Sequence, residues 1–363
     1  MGPIRFYSRV IPVVFVFLSF LPITTGAGAW PAPEDARSHW KRGNDCYKRG
    51  KVERAISEYE AAIGLNPGFA EAHFNLAVAL DHQNQPDAAI HQYREAIRLA
   101  PSNALAHNNL AVLLYRQGKL AAAIREYREA IQLEPMNAMA HNNLGSALAA
   151  EGQREAAMAQ YRDAIGIDPG YAHAHFNLGT TLHDAGRLDA ALAEFREAIR
   201  RQPDYVEAYG NLGAVLEEDG QPDAAIAEYR KALRLSPASP LVHNNLGNAL
   251  RDKGQPDTAA AEYREAIRLE PGFALAHNNL GNAYRDANRP DAAIAEYRKA
   301  IALKPDEASA HDNLGKALKM GGLVTPLPSG AEITILPAVS GGWILPPGRG
   351  FPRQRRSASQ VRH

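Results

Sequence analysis

Residues 104–137 read ALAHNNLAVLLYRQGKLAAAIREYREAIQLEPMN, and the fold follows from this stretch. Leu110 and Leu114, then Ala123, Ile124, Tyr127, Ala130 and Ile131, recur at steps of three and four in two separate runs. That spacing places them on one stripe of each of two amphipathic helices. Gly118 falls between the runs, where a first helix must end in a left-handed residue that glycine adopts without steric penalty. Pro135 closes the second run, because the residue before a proline is pushed out of the helical region. The stretch is helix, tight turn, helix, stop.

The same unit recurs along the chain. Pro67, Pro101, Pro135, Pro169, Pro203, Pro237, Pro271 and Pro305 are spaced at a constant 34 residues, and a fixed period of this length marks a solenoid. When units are counted from residue 36, position 15 holds Gly50, Gly118, Gly152, Gly186, Gly220 or Gly254, with Asn84 and Asn288 as substitutes. Asparagine is the side chain that best tolerates positive φ. Pro86, Pro222, Pro256 and Pro290, each followed by aspartate, open second helices. At that place the missing N–H costs nothing and the carboxylate complements the helix dipole. Positions 20 and 27 are alanine in every unit, position 8 is glycine or alanine, and position 24 is tyrosine except for Phe195. Small residues against one bulky ring predict closely packed helices. The expected architecture is all-α: a right-handed solenoid of antiparallel helix pairs, with eight units over residues 36–307 and one terminal helix over 308–320 that solvates the open end.

The ends of the chain read differently. Arg5 and Arg9 precede an apolar run over residues 10–23 and small residues up to Ala29, the layout of an export signal over residues 1–29, followed by a linker over 30–35. The run contains Pro12 and Pro22 and falls short of the roughly 20 apolar residues that span a bilayer. The protein is therefore expected in an exported compartment, periplasmic or secreted, with an uncleaved membrane anchor as the alternative. Residues 321–363 are rich in glycine, proline and arginine; this composition predicts disorder, and the tail reads either as a basic arm that touches an anionic surface or as a frameshifted end, the break falling in mid-repeat.

Composition excludes several classes of function. The 40 Lys and Arg balance 40 Asp and Glu, yet seven of the bases lie in the first nine and last fifteen residues, so the middle is acidic and unsuited to nucleic acid. The one cysteine, Cys46, removes a disulfide framework and a cysteine-built zinc site. His39, His73, His107, His141, His175, His243, His277 and His311 all occupy position 4 and are separated by whole units, too far apart to share a metal ion. Such a row reads as a packing position that uses the ring for a hydrogen bond. No nucleophile with its base, phosphate loop or paired carboxylates stands out. The chain is read as non-enzymatic, with no cofactor and no metal.

The units closely resemble the tetratricopeptide repeat. Leu at position 7, Gly or Ala at 8, Ala at 20, an aromatic at 24, Ala at 27 and Pro at 32 recur through residues 36–307, with Arg42 as the departure at position 7 of the first unit. The resemblance implies that positions 2, 5, 9, 12 and 13 line a concave groove that takes proteins or extended peptides. Position 6 is Asn75, Asn109, Asn143, Asn177, Asn211, Asn245, Asn279 and Asn313. Asparagine is a mediocre helix former, so its recurrence needs a reason. The row is similar to the asparagine-lined superhelix of the O-linked N-acetylglucosamine transferase family, whose amides hold polypeptide, although only 43 residues follow Met320 and no catalytic domain fits there. On this reading each amide donates to and accepts from an extended backbone; the competing reading is an inter-helix bond copied with the repeat. The groove of units two to four, with Phe74, Val78, Leu105, Asn108, Val112, Met139 and Asn142, suits a neutral peptide. It turns acidic at Asp184, Glu217 and Glu218, then mixed to basic at Asn248, Arg251, Asn282, Arg285, Lys316 and Lys319. Relatives that clamp the acidic C-terminus of cytosolic chaperones carry cations where Trp40, Leu105 and Asn109 stand here, so that partner is not expected. The expected role is a peptide-binding scaffold. The alternatives are a subunit of a separately encoded transferase or a structural part of an envelope assembly.

Overall fold

The computed structural model describes residues 35–321; the expected export signal and the tail after Gly321 lie outside the described residues. The described residues form 17 α-helices and no strand. In chain order they are α1 (Ala36–Lys48), α2 (Val52–Leu65), α3 (Ala70–His82), α4 (Pro86–Leu99), α5 (Ala104–Arg116), α6 (Leu120–Leu133), α7 (Ala138–Ala150), α8 (Arg154–Ile167) and α9 (Ala172–Asp184). The second half continues with α10 (Leu188–Arg201), α11 (Val206–Glu218), α12 (Pro222–Leu235), α13 (Pro240–Asp252), α14 (Pro256–Leu269), α15 (Ala274–Asp286), α16 (Pro290–Leu303) and α17 (Ala308–Met320). Odd-numbered helices are the first of each pair and even-numbered helices the second.

The local signals act as the sequence predicts. Gly118 takes φ 73° and Asn84 φ 58° at the turn between paired helices. Pro86, Pro222, Pro256 and Pro290 each form the first turn of their helix, and Pro240 does the same for α13. The residue before a first helix takes one of two routes, except at Glu307 before α17. Asn103 and Asn137 cap α5 and α7, their side chains accepting from the N–H of Ala106 and Ala140, both at 3.0 Å, which satisfies an amide that has no partner inside the helix. Tyr171 and Tyr205 stand at the same position and offer rings instead. His173 packs against both, at 5.8 and 5.2 Å between ring centroids, and Tyr205 packs on Phe176 at 4.9 Å.

The core is a continuous seam rather than a centre. Ala55, Ala89, Ala123 and their equivalents are fully buried, and Tyr93, Tyr127, Tyr229, Tyr263 and Tyr297 are at most 1% exposed. His73, His107, His141, His243 and His311 fasten their helices to the turn before, each through Nε2 to the proline carbonyl there. The His107 ring donates from Nδ1 to Glu126 Oε2 (2.7 Å) and from Nε2 to the Pro101 carbonyl (3.1 Å), and His243 repeats this with Glu262 and Pro237 at the same distances. The hydrogen bond to the Glu126 carboxylate holds the His107 pKa above its ordinary value. The row therefore serves packing, as the sequence reading has it.

Candidate functional site in the inner groove

The groove is defined by which helices meet across pairs. First helices touch the next first helix along the array, as in α7 with α9 and α13 with α15, whereas second helices do not approach one another in this way. The first helices therefore lie on the inside of the curve. Positions 2, 5, 9 and 12 are three or four residues apart and share one face of each first helix.

The position-6 asparagines do not stand free on that face. From Asn75 to Asn279 they are between 0 and 5% exposed, and only Asn313, on the last helix, is half-buried. Their amide N–H groups reach back to the preceding unit. Asn143, Asn177, Asn279 and Asn313 donate to the position-5 oxygens of Asn108, Asn142, Asn244 and Asn278 at 3.4, 2.9, 2.9 and 3.1 Å. Where position 5 is aromatic the acceptor changes. Asn75 donates to Asn44 Oδ1 (2.7 Å) because Trp40 has no acceptor, and Asn109 donates to the Tyr93 hydroxyl (3.4 Å) because Phe74 has none. Asn211 and Asn245 follow Phe176 and Gly210, and both are also engaged. This corrects the expectation of a row of available donors. The close approach of neighbouring first helices puts position 6 in the seam between them, where its amide must be satisfied within the protein. The Oδ1 atoms of Asn143 and Asn279 are buried without a partner.

Other expected groove residues are also claimed by the fold. Phe74 is buried and packs edge-on against Tyr93 at 5.8 Å. Asn248 and Asn282 accept from the Tyr263 and Tyr297 hydroxyls at 2.7 and 2.8 Å, roofed by their own second helices. Arg251 and Arg285 are neutralised by Asp252 (2.9 Å) and Asp286 (3.1 Å), and Lys316 pairs with Asp312 (2.6 Å). The expected mixed-to-basic end of the groove thus has its charges paired at Arg251, Arg285 and Lys316. Half-buried Leu105, Tyr115, Met139 and Ala149, with exposed Ala150, remain in contact with solvent in the third and fourth units.

A second row was not foreseen. Position 12 of one unit meets position 13 of the next. Asp81 pairs with Arg116 (2.9 Å), His183 with Glu218 (2.7 Å), and Arg251 with Asp286 (3.9 Å), while the Tyr47 ring meets the His82 ring edge-on at 6.0 Å. Between the sixth and seventh units the same rung carries Glu217 and Asp252, two carboxylates. Burial pushes the Glu217 pKa up to about 7; the Tyr229 hydroxyl, donating at 3.1 Å, opposes this, and Asp252 adds to it. A carboxyl whose folded pKa lies above its unfolded value favours the fold while protonated, and that contribution is lost as the pH rises through the folded pKa. Glu217→Gln is therefore expected to raise Tm at pH 8 and to leave it unchanged at pH 4, read by circular dichroism melts at both values. An equal shift at the two pH values would refute the assignment.

A model described as "Tetratricopeptide repeat" matches residues 40–104, 174–240 and 244–308; others of that family match 92–125, 113–152 and 145–184. The chain is a tetratricopeptide-repeat protein. No curated protein matches the sequence. Among solved structures, this tetratricopeptide-repeat chain resembles one in the "APC/C hetero-tetramer Cut9-Hcn1", with TM-score 0.56, 17% identity, and coverage of 77% of this chain and 55% of that one. The chain thus spans about half the length of that relative. It also resembles pilF of Pseudomonas aeruginosa (TM-score 0.53, 21% identity, 59% and 97% covered). YrrB, described as "a TPR protein with an unusual peptide-binding site", is 25% identical over 51% of this chain and 96% of its own, at TM-score 0.45. Proteins of this family are generally non-catalytic scaffolds that bind proteins or peptides. Among the described residues no group of three or more His, Cys, Asp or Glu is placed to hold a metal ion, and no helix is long and apolar enough to cross a membrane.

Proposed function

We propose that the protein is a non-catalytic scaffold that holds an extended segment of partner proteins along its inner groove, in an exported compartment. The observation that supports the groove is the half-buried apolar strip of Leu105, Tyr115, Met139 and Ala149 on successive first helices, beside the Asp81–Arg116 rung. Apolar side chains left partly in water on a concave face gain free energy when a partner covers them. The seam asparagines act here by holding the first helices in register, and the strip carries the contact. The arginines ahead of the apolar run over residues 10–23 support the compartment.

Panning the protein against a displayed library of random twelve-residue peptides tests the reading. Retained peptides are expected to bind at least tenfold more weakly to Leu105→Glu and Met139→Glu variants, and equally well to a variant carrying Glu60→Arg on a second helix. Retention of no peptide, or equal loss from the second-helix variant, would overturn it.

A further inference from the structure

Among the described residues the last helix, α17, is a first helix that keeps the residues of a covered helix, and no described second helix covers it. On Gly281 of α15 a Cβ would stand 2.5 Å from the Tyr297 ring, so the second helix presses onto the glycine. The same construction on Gly213 and Gly247 meets the equivalent tyrosine at 2.6 Å. On Gly315, at the same position of α17, it meets nothing within 4 Å. Leu314 and Leu318 are half-buried, whereas the leucines at their positions in α5, Leu110 and Leu114, are 2% exposed. The other end of the array is different. There Arg42 replaces the position-7 leucine of α1 and pairs with Glu58 at 3.1 Å, a polar finish that water can solvate.

The shape of the missing cover is written into the earlier units, because eight examples of the same face are each roofed by one kind of helix. That helix has alanine, then an aromatic four residues on, then alanine three further on, as in Ala293, Tyr297 and Ala300, all fully buried. A second folded copy has no such helix to lend, since each of its own is already packed between two first helices. Residues 322–363 do not contain the spacing either, and prolines interrupt them at 326, 328, 337, 346, 347 and 352. We propose that α17 is a docking face for one amphipathic helix of a different protein, carrying the Ala-x-x-x-Tyr-x-x-Ala pattern, which completes a ninth helix pair. The interface continues the internal stacking of the solenoid, in which each helix contacts only its neighbours, and it is independent of the groove.

A suitable probe is a fluorescein-labelled peptide of the α16 sequence, PDAAIAEYRKAIAL, stapled through the exposed positions of Arg298 and Ala302 so that its helix is preformed. Anisotropy titration with the full chain is expected to show saturable binding. Gly315→Leu, which fills the seat of the ring, and Leu318→Glu are each expected to weaken binding at least tenfold while circular dichroism shows the helical content retained. Changing the peptide's own tyrosine to alanine, which leaves the protein untouched, should weaken it as much. Absence of saturable binding, or binding indifferent to the peptide's tyrosine and to Gly315→Leu, would overturn the proposal.

Discussion

Tyr263→Ala is expected to loosen the array from its seventh unit to its C-terminal end and to leave the first five units folded. Tyr263 is fully buried, its ring lies where a Cβ on Gly247 would clash at 2.6 Å, and its hydroxyl donates to Asn248 at 2.7 Å. Truncating a buried aromatic costs about 3–5 kcal/mol, and here Asn248 Oδ1 also loses its donor in a buried setting. In a globular domain that loss would spread over one cooperative core. Here α14 contacts mainly α13 and α15, so the damage has only two directions to travel. Hydrogen exchange followed by mass spectrometry is expected to show faster exchange through α13–α17 and unchanged protection in α1–α10. A uniform loss of protection along the chain would mean that the units fold as one block.

The same one-dimensionality explains how much of the molecule could be read from its residues. A period of 34 fixes the helix pairs because Gly118, Pro135 and Tyr127 each act within one unit, where sequence distance is a fair proxy for spatial distance. Every turn glycine, and both asparagines that replace it, took positive φ for that reason. The groove was less legible because it is made between units. Nothing within one helix reveals that Asn177 lies against Asn142 rather than in open water; that depends on how closely two first helices approach. Phe74, Asn248 and Asn282 were misplaced for a different cause: the aromatic ring or hydroxyl that covers each comes from the second helix of its own unit, which folds back over the first. The ladder from position 12 to position 13 did have a signal. Asp81 with Arg116 and Arg251 with Asp286 are opposite charges 35 residues apart, visible once the period is known and charges are compared at that offset.

The seam asparagines yield the other large expected effect. Asn177 and Asn142 are 4% and 2% exposed and share a 2.9 Å bond. Asn177→Ala strands the Asn142 oxygen, and Asn142→Ala strands the Asn177 N–H; each is expected to cost about 1–3 kcal/mol, the penalty of a buried polar group left unpaired. Removing both at once leaves neither stranded, so the double variant should lose clearly less than the two single losses together, with a coupling energy of about 0.5–3 kcal/mol from urea unfolding. Asn143 provides the internal contrast. Its bond to Asn108 is longer, at 3.4 Å, and its own Oδ1 already lacks a partner, so Asn143→Ala should cost less than Asn177→Ala. Amides held free for a ligand would behave otherwise: single changes would leave stability untouched, the double change would be additive at zero, and only partner binding would fall. Unfolding curves of the four proteins therefore decide whether the asparagine row holds the solenoid together or waits for a peptide, and a coupling energy indistinguishable from zero would return the row to the groove.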